Sequence, residues 1–513
     1  MKYTDILRTI VFIVFLIGFN SAKAQLMNHY WTLNFNSQSS LLSGAVVAGD
    51  AGNASIYFNP ATISEIKKGS NLSFAASLFS WGMYSYRNVL GDNINLSGFN
   101  FNVLPQFLSY SFRKENSKFS FAVTSMTRLK ETIDLDYYNS RELDILQNVP
   151  GKENYSTSYD YQLNYTDNWI GLAVSYDISE RFKIGASIFS SIAQLNYKNE
   201  NSAVAFSPTD TIWVDTVPNP SIVAEGSYTE SFRYNNMRLI GKVGLSYIAN
   251  RWRFGLNITT QSLSLFSTKK QALRTFRVSD ITNPETGELL HGYVVTNGLV
   301  GPDLKTQIKY PWSVSFGFIF DVEKDKKRLY FTMEYFAKIN PYRMIEAPIR
   351  TDITSSIVYD RLENKDWLSV ADASKAVLNF AVAYRWVLND HLLFMNGFRT
   401  DFNNVKNVEY GELSSMNKIN TTDFDIYHYN AGFQFYAFQK YQLIAGGELS
   451  FGYAKNLQQV ANYSDPEEYN PEDNRILQGP LKNNMNIYYF GFNVYLGITL
   501  NFNKKQKTED ASL

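Results

Sequence analysis

Residues 488–502 read YYFGFNVYLGITLNF. Taken every second residue, one face is Tyr488, Phe490, Phe492, Val494, Leu496, Ile498, Leu500 and Phe502, and the other is Tyr489, Gly491, Asn493, Tyr495, Gly497, Thr499 and Asn501. A period of two is the side-chain period of an extended strand. One side of this strand is wholly apolar or aromatic and the other mostly polar or small, so the two sides face different media. A tilted strand crosses a bilayer with about 9–11 residues, and this one is longer. Which medium lies on the apolar side has to be decided by the rest of the chain.

The alternation recurs. At 311–320, Trp312, Val314, Phe316, Phe318 and Phe320 oppose Ser313, Ser315, Gly317 and Ile319; at 391–402, Leu392, Phe394, Phe398 and Phe402 alternate with Leu393, Met395, Gly397, Arg399 and Asp401. We count about fourteen such runs: 70–80, 100–113, 117–138, 156–177, 181–199, 228–249, 251–267, 309–321, 327–339, 376–387, 391–403, 424–437, 441–454 and 486–502. Their connections alternate as well. Short turns fall at places such as 113–117, 177–180, Asn250 and 389–390, while 200–227, 268–308, 340–375 and 455–485 are long and polar. An even strand number with short turns at one end and long loops at the other is the outer-membrane arrangement. In hydrocarbon an open sheet edge leaves backbone groups without partners, so the sheet must close. A large secreted β-sandwich is the competing fold, and it gives no reason for the connections to alternate. The expected fold class is all-β: a transmembrane antiparallel β-barrel of about 14 strands.

The 513-residue chain has 48 Lys+Arg against 48 Asp+Glu, so no net field draws it to nucleic acid. Aromatic residues make up 16%, which favours strands. Cysteine is absent, excluding disulfides, thiolate metal sites and a Cys nucleophile, and four histidines leave little for a metal. Residues 1–24 run from Lys2 and Arg8 through the apolar stretch 10–19 to Ala22-Lys-Ala24, the order of a secretory signal peptide, too short to span a bilayer.

Between that signal and the first strand lie residues 25–69, rich in chain breakers. They include 54–63, ASIYFNPATI, where a run that begins like a strand is cut by Asn59-Pro60. A barrel of about fourteen strands is wide enough to leave a channel unless something fills it. We therefore expect 25–69 to be an N-terminal hatch or plug, 70–502 the barrel and 503–513 a polar tail.

The small-residue stretch Gly44 to Gly49-Asp50, followed by Ala54-Ser55-Ile56-Tyr57-Phe58-Asn59-Pro60-Ala61, resembles the FadL-type outer-membrane transporters of long-chain fatty acids and aromatic hydrocarbons. The hairpin at 171–185 and Tyr310-Pro311-Trp312 opening a strand extend the likeness. The resemblance implies a fourteen-stranded barrel closed by an N-terminal hatch, in a Gram-negative outer membrane, passing hydrophobic or amphipathic small molecules without energy input. It places Asn59, Pro60 and Ala61 in the hatch, either as a turn that shapes the plug or as a ligand contact. Partners would be such a ligand, outer-membrane lipid and, during biogenesis, the barrel-assembly machinery. The alternative is a non-transporting barrel that scaffolds or shuttles partner proteins.

No catalytic motif stands out: there is no HExxH, Gly-x-Ser-x-Gly or phosphate-binding Gly-Lys-Ser/Thr loop, so we assign neither catalytic residues nor cofactors nor a metal. Strand parity turns Arg238, Lys242, Arg253, Glu334, Lys338, Arg385, Arg399, Asp401 and Glu448 inward, together with His428. Buried charges must be paired or hydrated. They either brace wall against hatch or, for Arg238, Lys242 and Arg253 on adjacent strands, offer a carboxylate-binding patch for an amphipathic ligand. The aromatic stretch 78–86 is expected to be either a ligand-gathering loop or part of the interfacial girdle.

Overall fold

A computed structural model of the chain describes residues 28–502, apart from short stretches of which the longest are 349–367 and 415–422. The expected signal peptide, 1–24, and the expected polar tail, 503–513, lie outside the described residues. Sixteen strands share one antiparallel sheet. Fourteen form a closed ring: β1 Gly69–Arg87, β2 Leu96–Arg113, β3 Phe119–Leu143, β4 Glu153–Asp177, β5 Phe182–Phe206, β6 Val223–Ala249, β7 Trp252–Thr259, β8 Ser313–Glu323, β9 Lys327–Phe336, β10 Val377–Asn389, β11 Leu392–Asp401, β12 Asp425–Ala437, β13 Tyr441–Leu457 and β14 Met485–Phe502. Each pairs with the next in sequence, and β14 returns to β1 from Ser70↔Phe502 to Arg87↔Asn486. Each of the fourteen runs read from the sequence supplies one strand of this ring.

The burial pattern settles the question left by residues 488–502. Phe490 and Leu496 are 40% and 42% exposed on the outside of β14, whereas Tyr495 is 2% exposed inside. The apolar faces thus look outward and the polar or small faces inward, the reverse of a sandwich core. On β6 the outward residues from Tyr247 up to Met237 are apolar or Gly241, and above them come Asn235 and Arg233; the paired strand β5 changes in step, from Ile192 to Gln194. Eleven residues tilted by about 40° make a band roughly 25 Å tall, the height of a barrel's lipid-facing belt.

The ends of several strands differ from expectation. β1 continues to Arg87, so the aromatic stretch at 81–86 is wall, with Tyr84 and Tyr86 buried inside and Met83 outside. β3 to β6 rise well above the belt, taking up much of the expected link 200–227. Their residues still alternate there, and pairing continues as long as each strand finds a neighbour. The run 251–267 breaks after Thr259 and resumes as Leu263–Ser279, which pairs with the upper half of β6 and with Tyr293–Val300. The expected loop 268–308 is therefore largely strand, standing on the ring rather than in it.

Residues 28–31 and 37–66 lie within the wall. They form short helical turns at Ser37–Leu41, Gly52–Ala54, Ser55–Phe58 and Pro60–Glu65. Trp31, Leu41, Val46 and Ile56 pack against Trp169, Phe189, Tyr310 and Met395 of the wall in one apolar cluster. A second cluster fills the upper lumen with Tyr159, Tyr197, Ile339, Met344 and Tyr463 among its members.

Candidate functional site

The stretch 54–63 now has an explanation. Ile56, Tyr57 and Phe58 are a single helical turn and not a strand, and all three are buried inside the ring, with Tyr57 against Trp169 and Phe189. Asn59 is extended, at φ −159°, and Pro60 opens the next turn, where its missing N–H costs nothing. The Asn59 carboxamide oxygen accepts from the Ala61 N–H (3.1 Å), and its amide donates to the carbonyls of Val47 (2.8 Å) and of Leu245 on β6 (2.9 Å). One buried side chain thus ties two turns of the inner segment to the wall.

The wall makes room by omitting side chains. A Cβ on Gly244 would lie 2.0 Å from Asn59 Oδ1, one on Gly185 would lie 2.4 Å from the Pro60 carbonyl carbon, and one on Gly255 would lie 2.1 Å from the Val47 oxygen. Gly185 faces Gly244 across β5 and β6, so these close approaches form a continuous seat. The sequence analysis missed this seat. Its signal was available as glycine recurring at inward parity on β5, β6 and β7.

Charged contacts hold the same segment. Asp50 meets Arg328 at 2.8 Å and Arg385 at 3.2 Å, and accepts from the Tyr330 hydroxyl at 2.6 Å. Burial pushes the Asp50 carboxyl up, but Arg328 and Arg385 hold it well below the usual carboxylate range. Glu65 lies 3.5 Å from both Lys183 and Arg253; here burial outweighs the two cations and the carboxyl is raised. Trp31 is gripped from both sides: its N–H donates to Asp401 (3.0 Å), its carbonyl accepts from Arg399 Nε (3.1 Å), and its indole N–H donates to Glu334 (2.7 Å). Arg399 in turn pairs with Glu448 at 2.8 Å, beside His428, whose Nδ1 lies 2.7 Å from Ser450 Oγ.

Arg238, Lys242 and Arg253 are not gathered into one patch. Arg238 is fully buried against Asp167 (2.8 Å), Lys242 lies 4.0 Å from the centre of the Tyr57 ring, and Arg253 faces Glu65. Arg253 sits opposite Ile248, ten residues along β6 from Arg238, which is about 33 Å of strand. Parity brought them to one face and could not give their height. Lys338 departs from the expected parity: it lies past the end of β9 and is exposed.

A cation that sequence reasoning passed over is Arg128. It sits at a register shift in β3 between Thr127 and Leu129, after which the inward parity of the strand flips. Its Nη2 donates to the Tyr30 carbonyl (2.9 Å), and its guanidinium lies 4.8 Å and 5.7 Å from the ring centres of Tyr310 and Trp169. No carboxylate lies within ion-pair distance of it among the described residues. Arg128 lines a cavity of about 70 Å³ with His29, Tyr30, Tyr310 and Asp372, just above the inner segment. The wall is also least complete beside it. β2 pairs with β3 only from Phe107↔Met126 to Phe112↔Phe121, while β3 pairs with β4 along its whole length.

A closed fourteen-strand antiparallel ring with an apolar outer belt and a polar, occupied lumen is the architecture of an outer-membrane barrel protein. Within that class the fold is the FadL type. It is similar to the Pseudomonas putida toluene transporter TodX (TM-score 0.54, 12% identity, 92% of this chain and 100% of that one), to a Pseudomonas aeruginosa FadL homologue (0.54, 11%, 93% and 100%) and to the Ralstonia pickettii toluene transporter TbuX (0.52, 11%, 92% and 99%). No family model and no curated protein matches the sequence.

Proposed function

We propose that this protein is an outer-membrane channel for passive uptake of hydrophobic or amphipathic small molecules, with residues 25–69 as its hatch and Asn59, Pro60 and Ala61 as the turn that seats it. The observation that carries this reading is the kind of closure: the lumen is filled by a segment of the chain held through side-chain hydrogen bonds and a few ion pairs. Such a segment can shift without breaking the ring. An apolar solute would gain about 25 cal/mol for each Å² moved out of water, and the unpaired stretch of β2 and β3 lies at the level where it meets the hatch. The fold shared with transporters of toluene supports the same solute class.

A second reading is favoured by the small size of the cavity beside Arg128, about 70 Å³: a barrel that holds partner proteins and passes nothing. Uptake by proteoliposomes separates the two. Saturable entry of long-chain fatty acids, aromatic hydrocarbons or hydrophobic dyes supports the channel. Failure across that whole set, with a stoichiometric protein co-purifying, supports the scaffold.

A further inference from the structure

On the outer surface of the wall, the strand Leu263–Ser279 presents Leu263, Leu265 and Phe266 to the bilayer, with Phe266 opposite Met237 at the upper edge of the belt. Immediately above, its pairing with β6 is interrupted. Thr268 faces Asn235 and Gln271 faces Arg233, so Lys269 and Lys270 have no partners across the strand and bulge out. Lys269 has φ 53°, a left-handed conformation that residues other than Gly, Asn and Asp seldom adopt. The bulge is fixed from the other side, where the Lys270 carbonyl accepts from the Gly301 N–H (3.1 Å) and Lys270 Nζ donates to the Pro302 carbonyl (2.6 Å). With Arg233, exposed on β6, these residues line an open notch of about 560 Å³. No carboxylate pairs with Arg233, Lys269 or Lys270 among the described residues.

The height of this notch matters. Lys269 is three residues past Phe266, about 10 Å along a tilted strand or roughly 7–8 Å along the membrane normal. The polar layer of a leaflet is about 5–8 Å thick. Three cations therefore stand in the head-group layer of the outer leaflet, over an exposed apolar strip suited to acyl chains.

We propose that Arg233, Lys269 and Lys270 form a binding site for the phosphate group of an outer-leaflet lipid, whose chains lie along Leu263, Leu265 and Phe266. The site depends on the barrel's seat in a bilayer and is independent of transport. A phosphate monoester suits it because a dianion can face several cations at once, Arg by paired N–H donors and Lys as a point charge.

The test uses the full mature chain in phosphatidylcholine nanodiscs doped with phosphatidic acid, read by native mass spectrometry of the ejected protein. Retention of phosphatidic acid over phosphatidylserine is expected, with a loss on the order of tenfold or more in R233Q/K269Q/K270Q and a smaller loss in R233Q alone, which alters one exposed side chain. Lys130→Gln, which removes a cation in the same row of the sheet but on β3, three strands from β6, should leave retention unchanged. Equal retention by the triple variant, an equal loss in Lys130→Gln, equal retention of phosphatidylserine, or full displacement by millimolar inorganic phosphate would each overturn the proposal.

Discussion

Asp50 of the inner segment and Arg328 of β9 hold each other at 2.8 Å, and Arg385 of β10 stands 3.2 Å from the same carboxylate oxygen. Asp50→Asn would leave Arg385 without a carboxylate among the described residues and Arg328 with Asp321, 2.6 Å away. Removing one partner of a fully buried pair costs about 3–5 kcal/mol; these groups are 9–17% exposed, so about 2–3 kcal/mol is expected. The variant should melt several degrees lower in detergent and admit hydrophobic dye faster into proteoliposomes. Unchanged melting and uptake would remove this pair from the closure.

Two carboxyls of the inner segment respond to pH in opposite senses. Asp50, held low, contributes stability that is present above the ordinary carboxylate range and lost only as pH falls through its depressed value. Glu65 is raised, so folding takes up a proton in the window just above the ordinary value of 4.5, and stability falls as pH rises through that window. Between pH 4.5 and neutrality, Glu65→Gln should therefore remove one declining component of the melting temperature relative to the unsubstituted chain, while Asp50→Asn leaves the slope there unchanged. Identical slopes with and without the Glu65 carboxyl would show that it does not contribute.

Asn59→Ala removes a cap and withdraws the amide donor from the carbonyls of Val47 and Leu245, a cost of about 1–3 kcal/mol. Gly244→Ala places a methyl where the Asn59 oxygen now sits, 2.0 Å from an ideal Cβ. Both variants should keep the heat-modifiable migration of a folded barrel in gels while residues 28–66 become open to protease, and Gly244→Ala should be the more severe. A protected segment in Gly244→Ala would mean that the glycine seat is not required.

Arg128 is caged by aromatic rings and faces the cavity over the inner segment without a carboxylate partner among the described residues. Arg128→Gln should lower uptake of a long-chain carboxylate by roughly tenfold, the value of one charge-assisted hydrogen bond. Uptake of a neutral aromatic hydrocarbon should be little altered. Equal losses for the two solutes would give Arg128 a structural role only.

Residues 488–502 already carry the main decision about the fold, since an apolar stripe on one face and Gly491, Asn493, Gly497 and Asn501 on the other repeat from strand to strand. Period-two alternation is local, and so the fourteen runs could be read without knowing their neighbours. The interior was less legible because it depends on which heights along different strands come together. Parity turned Arg238, Lys242 and Arg253 inward, but only the register shows that Arg253 meets Glu65 near one end while Arg238 meets Asp167 far above it. Ile56-Tyr57-Phe58 read like a strand because β propensity says nothing of where the segment packs. Arg128 escaped notice because one extra residue in β3 reverses the parity on either side of it.

Solute passage through the proposed channel requires the inner segment to move first. The chain has no cysteine, so a tether can be added without side reactions. A Cβ on Gly397 would lie 3.0 Å from Ser43 Cβ, within a small relaxation of the roughly 3.5–4.5 Å of a disulfide. Uptake by S43C/G397C proteoliposomes should fall to background when the bond forms and return on reduction. Undiminished uptake with the tether fully formed would contradict the gate.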